Sequence, residues 1–359
     1  MLAVTGCSWV EQVVGTDDSH DGSQEDYLSD PIYREVDAEP RGATDELYPS
    51  QWNLSDIGVP LAWGIAEEYR LVPDNESVVV AVVDTGVLYD HPDLIGVEFV
   101  DGFDFIADAT NAGDGDGLDT DPTDEGNGRA FGNSWHGTHV IGTIAARTDD
   151  DVGIAGVGRN ELAVMPLRAL GAAGGSAFDI AQAVLYAVGE VNDSGTVPAR
   201  AARVINLSLG GEEPSAVLQE AIQVATERGA LVVAAAGNDA AETGYTGGVS
   251  YPAREEPTFA VGSVTIARER APYSNVGAGL DIVAPGGSLQ SDENDDGLTD
   301  GVLGPLILVD ADQLSRVRIP SDVYGWGAYE GTSMAAPQVA AKAALMVSVN
   351  PGISVEDIS

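Results

Sequence analysis

Val78-Val79-Val80-Ala81-Val82-Val83-Asp84-Thr85-Gly86 is the stretch on which the fold turns: an unbroken apolar run, nearly all valine, that ends on an acid and a glycine. Too short for an ordinary helix and apolar at every position, it reads as a strand covered on both faces. Val204-Ile205-Asn206-Leu207, Leu231-Val232-Val233-Ala234 and Phe259-Ala260-Val261-Gly262-Ser263-Val264 repeat the pattern. Between them, segments 177–190 and 215–228 carry apolar residues at intervals of three and four, the helical period. Strands alternating with helices predict an α/β fold: one catalytic domain with a doubly wound, mostly parallel sheet and helices on both faces. In such a sheet chemistry gathers just past the carboxyl ends of the strands, where Asp84 falls.

Composition closes off several classes of function. The 359 residues carry 16 basic and 58 acidic side chains, a formal net charge of −42, and Lys342 is the one lysine. A chain so acidic is not built to grip nucleic-acid phosphates or an anionic membrane. The same imbalance fits a surface meant for high salt, where screening relieves self-repulsion. No run of 18 apolar residues exists, so no transmembrane span is expected. The only cysteine, Cys7, rules out an internal disulfide. Val4-Thr5-Gly6-Cys7 is similar to the end of a bacterial lipoprotein signal, which predicts a lipid anchor at Cys7 and an extracellular or cell-surface location, a chance match being the competing reading. Residues 1–45 read as an acidic, disordered tail and 46–359 as the folded domain. That domain stops at Ser359 in what reads as the start of another helix, so truncation at the C-terminus is expected, and no folding pro-segment is recognisable before Leu47.

Two further segments bear groups that complement Asp84. Ser134-Trp135-His136-Gly137-Thr138-His139 places two of the chain's 4 histidines at the start of a helical pattern. Zinc would need His-Glu-x-x-His; the glutamate is missing and the spacing is wrong, so His139 is expected to be a packed structural histidine. Thr332 reads as an N-cap, with Pro337 in the first turns of a helix, where a missing N–H costs little. Ser333 therefore sits at a helix N-terminus, where free N–H groups and the helix dipole favour a developing oxyanion. Taken singly, it is a capping serine. A serine hydroxyl becomes a nucleophile only with a base in hydrogen-bond reach, and a histidine oriented by a buried carboxylate is such a base. Asp84, His136 and Ser333 supply those parts.

Asp84-Thr85-Gly86, His136-Gly137-Thr138-His139-Val140-Ile141-Gly142 and Gly331-Thr332-Ser333-Met334-Ala335-Ala336-Pro337, in that chain order, resemble the subtilisin-like serine proteases, the subtilase family. The resemblance runs from about Gln51 to the end. It implies a secreted or surface-anchored serine endopeptidase that acts on protein or peptide substrates through an acyl-enzyme. Asn238, which ends Val232-Val233-Ala234-Ala235-Ala236-Gly237-Asn238, is implied as the oxyanion-hole side chain. The resemblance further implies that a peptide adds as a strand between Gly174-Gly175-Ser176 and Ser208-Leu209-Gly210, with Phe178 lining a distal apolar pocket. Ala235, Ala236, Gly237 and Ser250 would wall the pocket for the residue before the cut; tight packing is the plainer reading of these small residues. Gln338 and Ala341 stand where the family usually has histidine and glycine, differences expected to affect packing more than chemistry.

Acidic loops suggest structural Ca²⁺, with a merely solvated acidic loop as the rival in each. Asp114, Asp116, Asp119, Asp121 and Asp124 crowd into one short segment, a density of hard oxygen ligands that suits calcium. Asp292, Asn294, Asp296 and Asp300 match the Asp-x-Asn-x-Asp-Gly start of a calcium loop, although Leu303 stands where a closing acid belongs. Asp93 and Asp150 occupy positions where the resemblance implies a tight calcium site. Two alternatives to the serine protease remain: an inactive calcium-binding surface protein on the same scaffold, and an aspartic protease pairing Asp84-Thr85-Gly86 with Asp193-Ser194-Gly195-Thr196, for which the helical pattern before Asp193 is wrong.

Overall fold

Strand β1 (Val78–Asp84) is buried at every residue and divides its side chains by parity. Val78, Val80 and Val82 enter one hydrophobic core, while Val79, Ala81 and Val83 enter another on the opposite face. This is what an all-apolar strand requires of its surroundings. The computed structural model describes residues 39–69, 77–126, 134–242, 245, 247–308 and 324–358. The strands that follow are β2 (Glu98–Phe99), β3 (Phe103–Asp104), β4 (Leu162–Arg168), β5 (Val204–Leu207), β6 (Leu231–Ala235), β7 (Phe259–Val264) and β8 (Ile282–Pro285). They form one sheet in the order β2-β4-β1-β5-β6-β7-β8, with β3 also on β4, and every pairing is parallel.

Eight helices accompany the sheet among the described residues: α1 (Trp52–Asp56), α2 (Val59–Tyr69), α3 (Ala109–Ala112), α4 (His136–Ala145), α5 (Ala177–Ala187), α6 (Ala216–Glu227), α7 (Thr332–Val349) and α8 (Val355–Ile358). Helices α2, α4 and α7 close the first core, and α5 and α6 the second. β1 has β4 on one side and β5 on the other, so the winding reverses at β1, and the carboxyl end of that strand opens on a crevice. Ser176 and Ser215 cap α5 and α6 by accepting from Asp179 N and Leu218 N.

One element stands apart from the sheet. β9 (Val302–Ile307) and β10 (Tyr324–Tyr329) form an antiparallel pair that packs on α4, with Pro305 against Gly142 and the Tyr329 ring stacked on His139. The expected tail needs correcting at its end. Asp45 is buried, Ala43 packs on the first core, and Arg41 N donates to Pro60 O, so order begins before residue 46. Residues 1–38, Cys7 among them, lie outside the described residues. No helix among the described residues is long and apolar enough to cross a membrane.

Candidate active site

The end of β1 is shaped by close backbone approach. A Cβ on Gly86 would stand 2.5 Å from Pro122 O, and one on Gly137 would stand 2.3 Å from Gly86 O, so both positions exclude a side chain. That approach brings the start of α4 onto Asp84. His136 Nδ1 lies 2.7 Å from Asp84 Oδ1, with the carboxylate side chain 1% exposed and the imidazole 22%. Thr85 N donates to the same oxygen at 2.8 Å. Trp135, just before the helix, is buried in the left-handed region at φ 49°, a conformation that costs a bulky residue about 1–3 kcal/mol. It is held in a small apolar cluster with Leu88, Leu306 and Ile307, while Tyr329 Oη donates to Ser134 O at 2.6 Å.

Ser333 occupies the first turn of α7. Its Oγ donates to Ser208 O at 3.2 Å, and Ser208 Oγ donates back to Ser333 O at 2.8 Å, which ties the helix start to the end of β5. Asn238, just after β6, has its Oδ1 fixed by Thr332 N and Thr332 Oγ1, both at 2.9 Å. With the oxygen so held, the amide nitrogen turns toward Gly331: a Cβ there would lie 3.4 Å from Asn238 Nδ2 and 3.7 Å from Ser333 N. Two N–H donors thus border one spot. His139 is the packed histidine expected, stacked on Tyr329 with Nε2 near Val302 O and Gly327 O, and burial pushes it down to about 3. Gln338 is fully buried and donates to Pro285 O at 2.6 Å, a packing role.

A cleft of about 480 Å³ runs from His136 past Gly174, Gly175, Ser208, Leu209 and Gly210 to Ile180, Leu218 and Tyr251. Gly210 faces Ser250 and Ala235, and Gly237 abuts Ser250, so the small residues converge. Ala236 points into the second core, Ser176 spends its hydroxyl on capping α5, and Phe178 is 47% exposed and not among the residues lining the cleft. Ile180 and Leu218, which do line it, were hidden in helical patterns that gave no sign of a cleft.

The acidic groups sort differently from their order in sequence. Carboxylate oxygens of Asp114, Asp116 and Asp119 lie within 4.8 Å of one another, and Asp114 also pairs with Arg168 Nη1 at 2.7 Å. Asp121, exposed, accepts from Thr123 at its own loop. Asp124 does not join them: it is buried and bonded to Thr85, a correction to the sequence grouping. Asp292, Asn294 and Asp296 accept loop N–H groups from residues 296–298. Asp300 is buried and accepts Glu293 N at 2.7 Å. Asp93 and Asp45, the latter missed in sequence, each keep one buried oxygen without a hydrogen-bond partner among the described residues. Burial pushes Asp93 up to about 7, with the charges of Asp150 and Asp45 adding to it, and raises Asp45 as well. Buried carboxylates so disfavoured as anions fit a bound cation, which would relieve both.

The fold and this rim define a class, the subtilisin-like α/β proteins. The subtilase family model matches residues 75–359. An extracellular protease of Xanthomonas campestris is 40% identical over 288 residues, covering 77% of this chain and 45% of that protein. The extracellular basic protease of Dichelobacter nodosus is 38% identical, covering 76% and 43%. Subtilisin Savinase of Lederbergia lenta is 36% identical, covering 84% and 86%. A solved protease structure from Pseudoalteromonas arctica superposes with TM-score 0.74 at 35% identity, covering 88% and 90%. The chain belongs to the subtilase family. It spans less than half the length of the Xanthomonas and Dichelobacter relatives.

Proposed function

We propose that this chain is an extracellular serine endopeptidase in which Ser333 attacks the scissile carbonyl. The observation that carries it is the 2.7 Å contact of a buried Asp84 with His136, which lines the same cleft as Ser208, the residue whose carbonyl accepts from Ser333 Oγ. Asp84 fixes the tautomer with Nδ1 protonated and stabilises the imidazolium that forms. His136 Nε2 takes the Ser333 proton as the Oγ–C bond forms, then delivers it to the leaving amine as the C–N bond breaks; water repeats the cycle on the acyl-enzyme. Asn238 Nδ2 and Ser333 N would hold the tetrahedral oxyanion; in subtilisin itself the asparagine donor is worth about 10²–10³ in turnover. The substrate strand lies between Gly174-Gly175-Ser176 and Ser208-Leu209-Gly210, with small walls at Ala235, Gly237 and Ser250 leaving room for a large side chain.

Asp45, Asp93 and Asp150 are the residues that would hold Ca²⁺, whose part is to hold the chain near Asp45 against the loop after α4. The Asp114, Asp116, Asp119 group and the Asp292–Asp300 loop are further candidates: oxygens of Asp114, Asp119 and Asp292 already serve neighbouring donors, while Asp300 Oδ1 is buried without a hydrogen-bond partner among the described residues. An extracellular location is supported by the names of the relatives, and surface anchoring through Cys7 remains part of the proposal. Ser333→Ala should abolish hydrolysis of a chromogenic peptide while circular dichroism and melting stay as in the wild type. Wild-type turnover in that variant would end the proposal.

A further inference from the structure

We infer that Asp124 and Thr85 are positioning residues for the catalytic pair: together they cap α4 from outside the helix and so fix where His136 stands against Asp84. This rests on the triad reading above. Thr85 Oγ1 lies 2.6 Å from Asp124 Oδ2 and 2.9 Å from Gly137 N. An ionised carboxylate only accepts, so the threonine hydroxyl donates to Asp124 and leaves its lone pair to the Gly137 N–H. Gly137 is the second residue of α4, where the N–H has no intrahelical partner, and Trp135 before the helix supplies no side-chain cap. Meanwhile Thr85 N holds Asp84 Oδ1. One residue therefore holds Asp84 through its N–H and, through its hydroxyl, the residue that follows His136, and the carboxylate behind it sets the direction of that hydroxyl.

Asp124 is built in rather than placed by chance. It is 4% exposed, its Oδ1 accepts Gly126 N at 2.8 Å, and its own N–H donates to Val87 O at 3.1 Å. The chain beside it is locked by Val87 N to Pro122 O at 3.0 Å, just where Gly86 leaves no room for a side chain. Both Asp124 oxygens are thereby used within the site, which is why the residue stands apart from the Asp114 group. Burial, then the Asp84 charge, pushes Asp124 up, while the Thr85 and Gly126 hydrogen bonds and Arg168 hold it down, leaving it at about 6. Tyr329, on the hairpin packed over α4, is raised by burial and by the Asp124 charge. Above neutral pH an anion therefore stands behind the Asp84–His136 pair, and nearby anions favour an imidazolium.

The test uses the full chain with Thr85→Val, Thr85→Ser and Asp124→Asn. Three quantities are read: the second-order rate of fluorophosphonate acylation at Ser333, kcat and KM on a chromogenic peptide, and the acid limb of the kcat/KM profile. Thr85→Val should slow acylation and kcat by about 10–100-fold with KM nearly unchanged, the scale of a small misplacement of a catalytic group. Thr85→Ser, which keeps the hydroxyl, should stay within about threefold. Asp124→Asn can keep its oxygen toward Thr85 only by giving up the Gly126 N–H bond, and it removes the charge, so the acid limb should move down by roughly half a pH unit. Acylation rates and acid limbs equal to wild type in Thr85→Val and Asp124→Asn, with only the melting temperature altered, would overturn this inference and leave the triad standing. Failure of the wild type to label at all would overturn the triad reading and this one with it.

Discussion

The rim around Asp84 and the loop from Asp114 to Asp121 are made with the same side chain and use it in opposite ways. Asp84 is held by His136 and Asp124 by Thr85, partners 52 and 39 residues away in the chain. Asp119 and Asp121 instead accept from backbone N–H groups two residues on, and only Asp114 of that loop also reaches inward, to Arg168. Long-range bonds to buried acids carry geometry, since each joins two elements that nothing else aligns so closely. Local bonds at exposed acids shape a loop and little beyond it. Among the described residues, the acids therefore divide into a few buried ones that tie elements together and many that are exposed.

That contrast can be broken first at its strongest point. Asp84→Asn keeps the size of the residue but favours the wrong histidine tautomer, and kcat should fall about 10⁴-fold, measured by peptide hydrolysis near neutral pH. A loss below tenfold would mean Asp84 is no different from a loop aspartate.

A smaller effect is expected at the buried acids of the cation site, measured as melting temperature of wild type against Asp93→Asn. Asp93 is pushed above its unfolded value, so the cation-free native state binds protons more tightly than the unfolded one. In chelator, the stability of wild type relative to Asp93→Asn is then greatest at low pH and is lost as pH rises from about 4 to about 7. Calcium should reverse the order at pH 8, wild type becoming the more stable. Asp116→Asn, exposed in the loop, should change melting by no more than about 0.5 kcal/mol in either condition. Equal responses at Asp93 and Asp116 would erase the distinction between the two regions.

Much of the fold was legible because its signals are local. The valine run sets β1, and the stretches Val204–Leu207 and Phe259–Val264 match β5 and β7 to the residue. Strand β4 escaped notice because Pro166 interrupts Leu162–Arg168 and Arg168 ends it. The proline is tolerated, and the arginine, pointing inward, is neutralised by Asp104 and Asp114. The β9–β10 hairpin was illegible for another reason. Tyr324 and Trp326 do alternate with Gly325 and Gly327, but Gly304 and Pro305 interrupt the other strand, and the two strands are far apart in sequence. Asp45 stood alone in an acidic stretch, and only the fold brings it toward Asp93 and Asp150. Asp124 went astray because closeness in sequence stood in for closeness in space. The Asp84–His136 contact was readable because the two residues sit in motifs that resemble the subtilases in order and chemistry; the close backbone approach at Gly86 and Gly137 that permits it came only with the fold.

Reacting the folded protein with a fluorophosphonate and locating the adduct by mass spectrometry tests the role of Ser333 most directly. A single adduct on Ser333, absent in Ser333→Ala and slowed at least a hundredfold in His136→Ala, is the predicted result. An intact, folded chain that hydrolyses peptides yet carries the adduct elsewhere, or that labels at the same rate without His136, would contradict it.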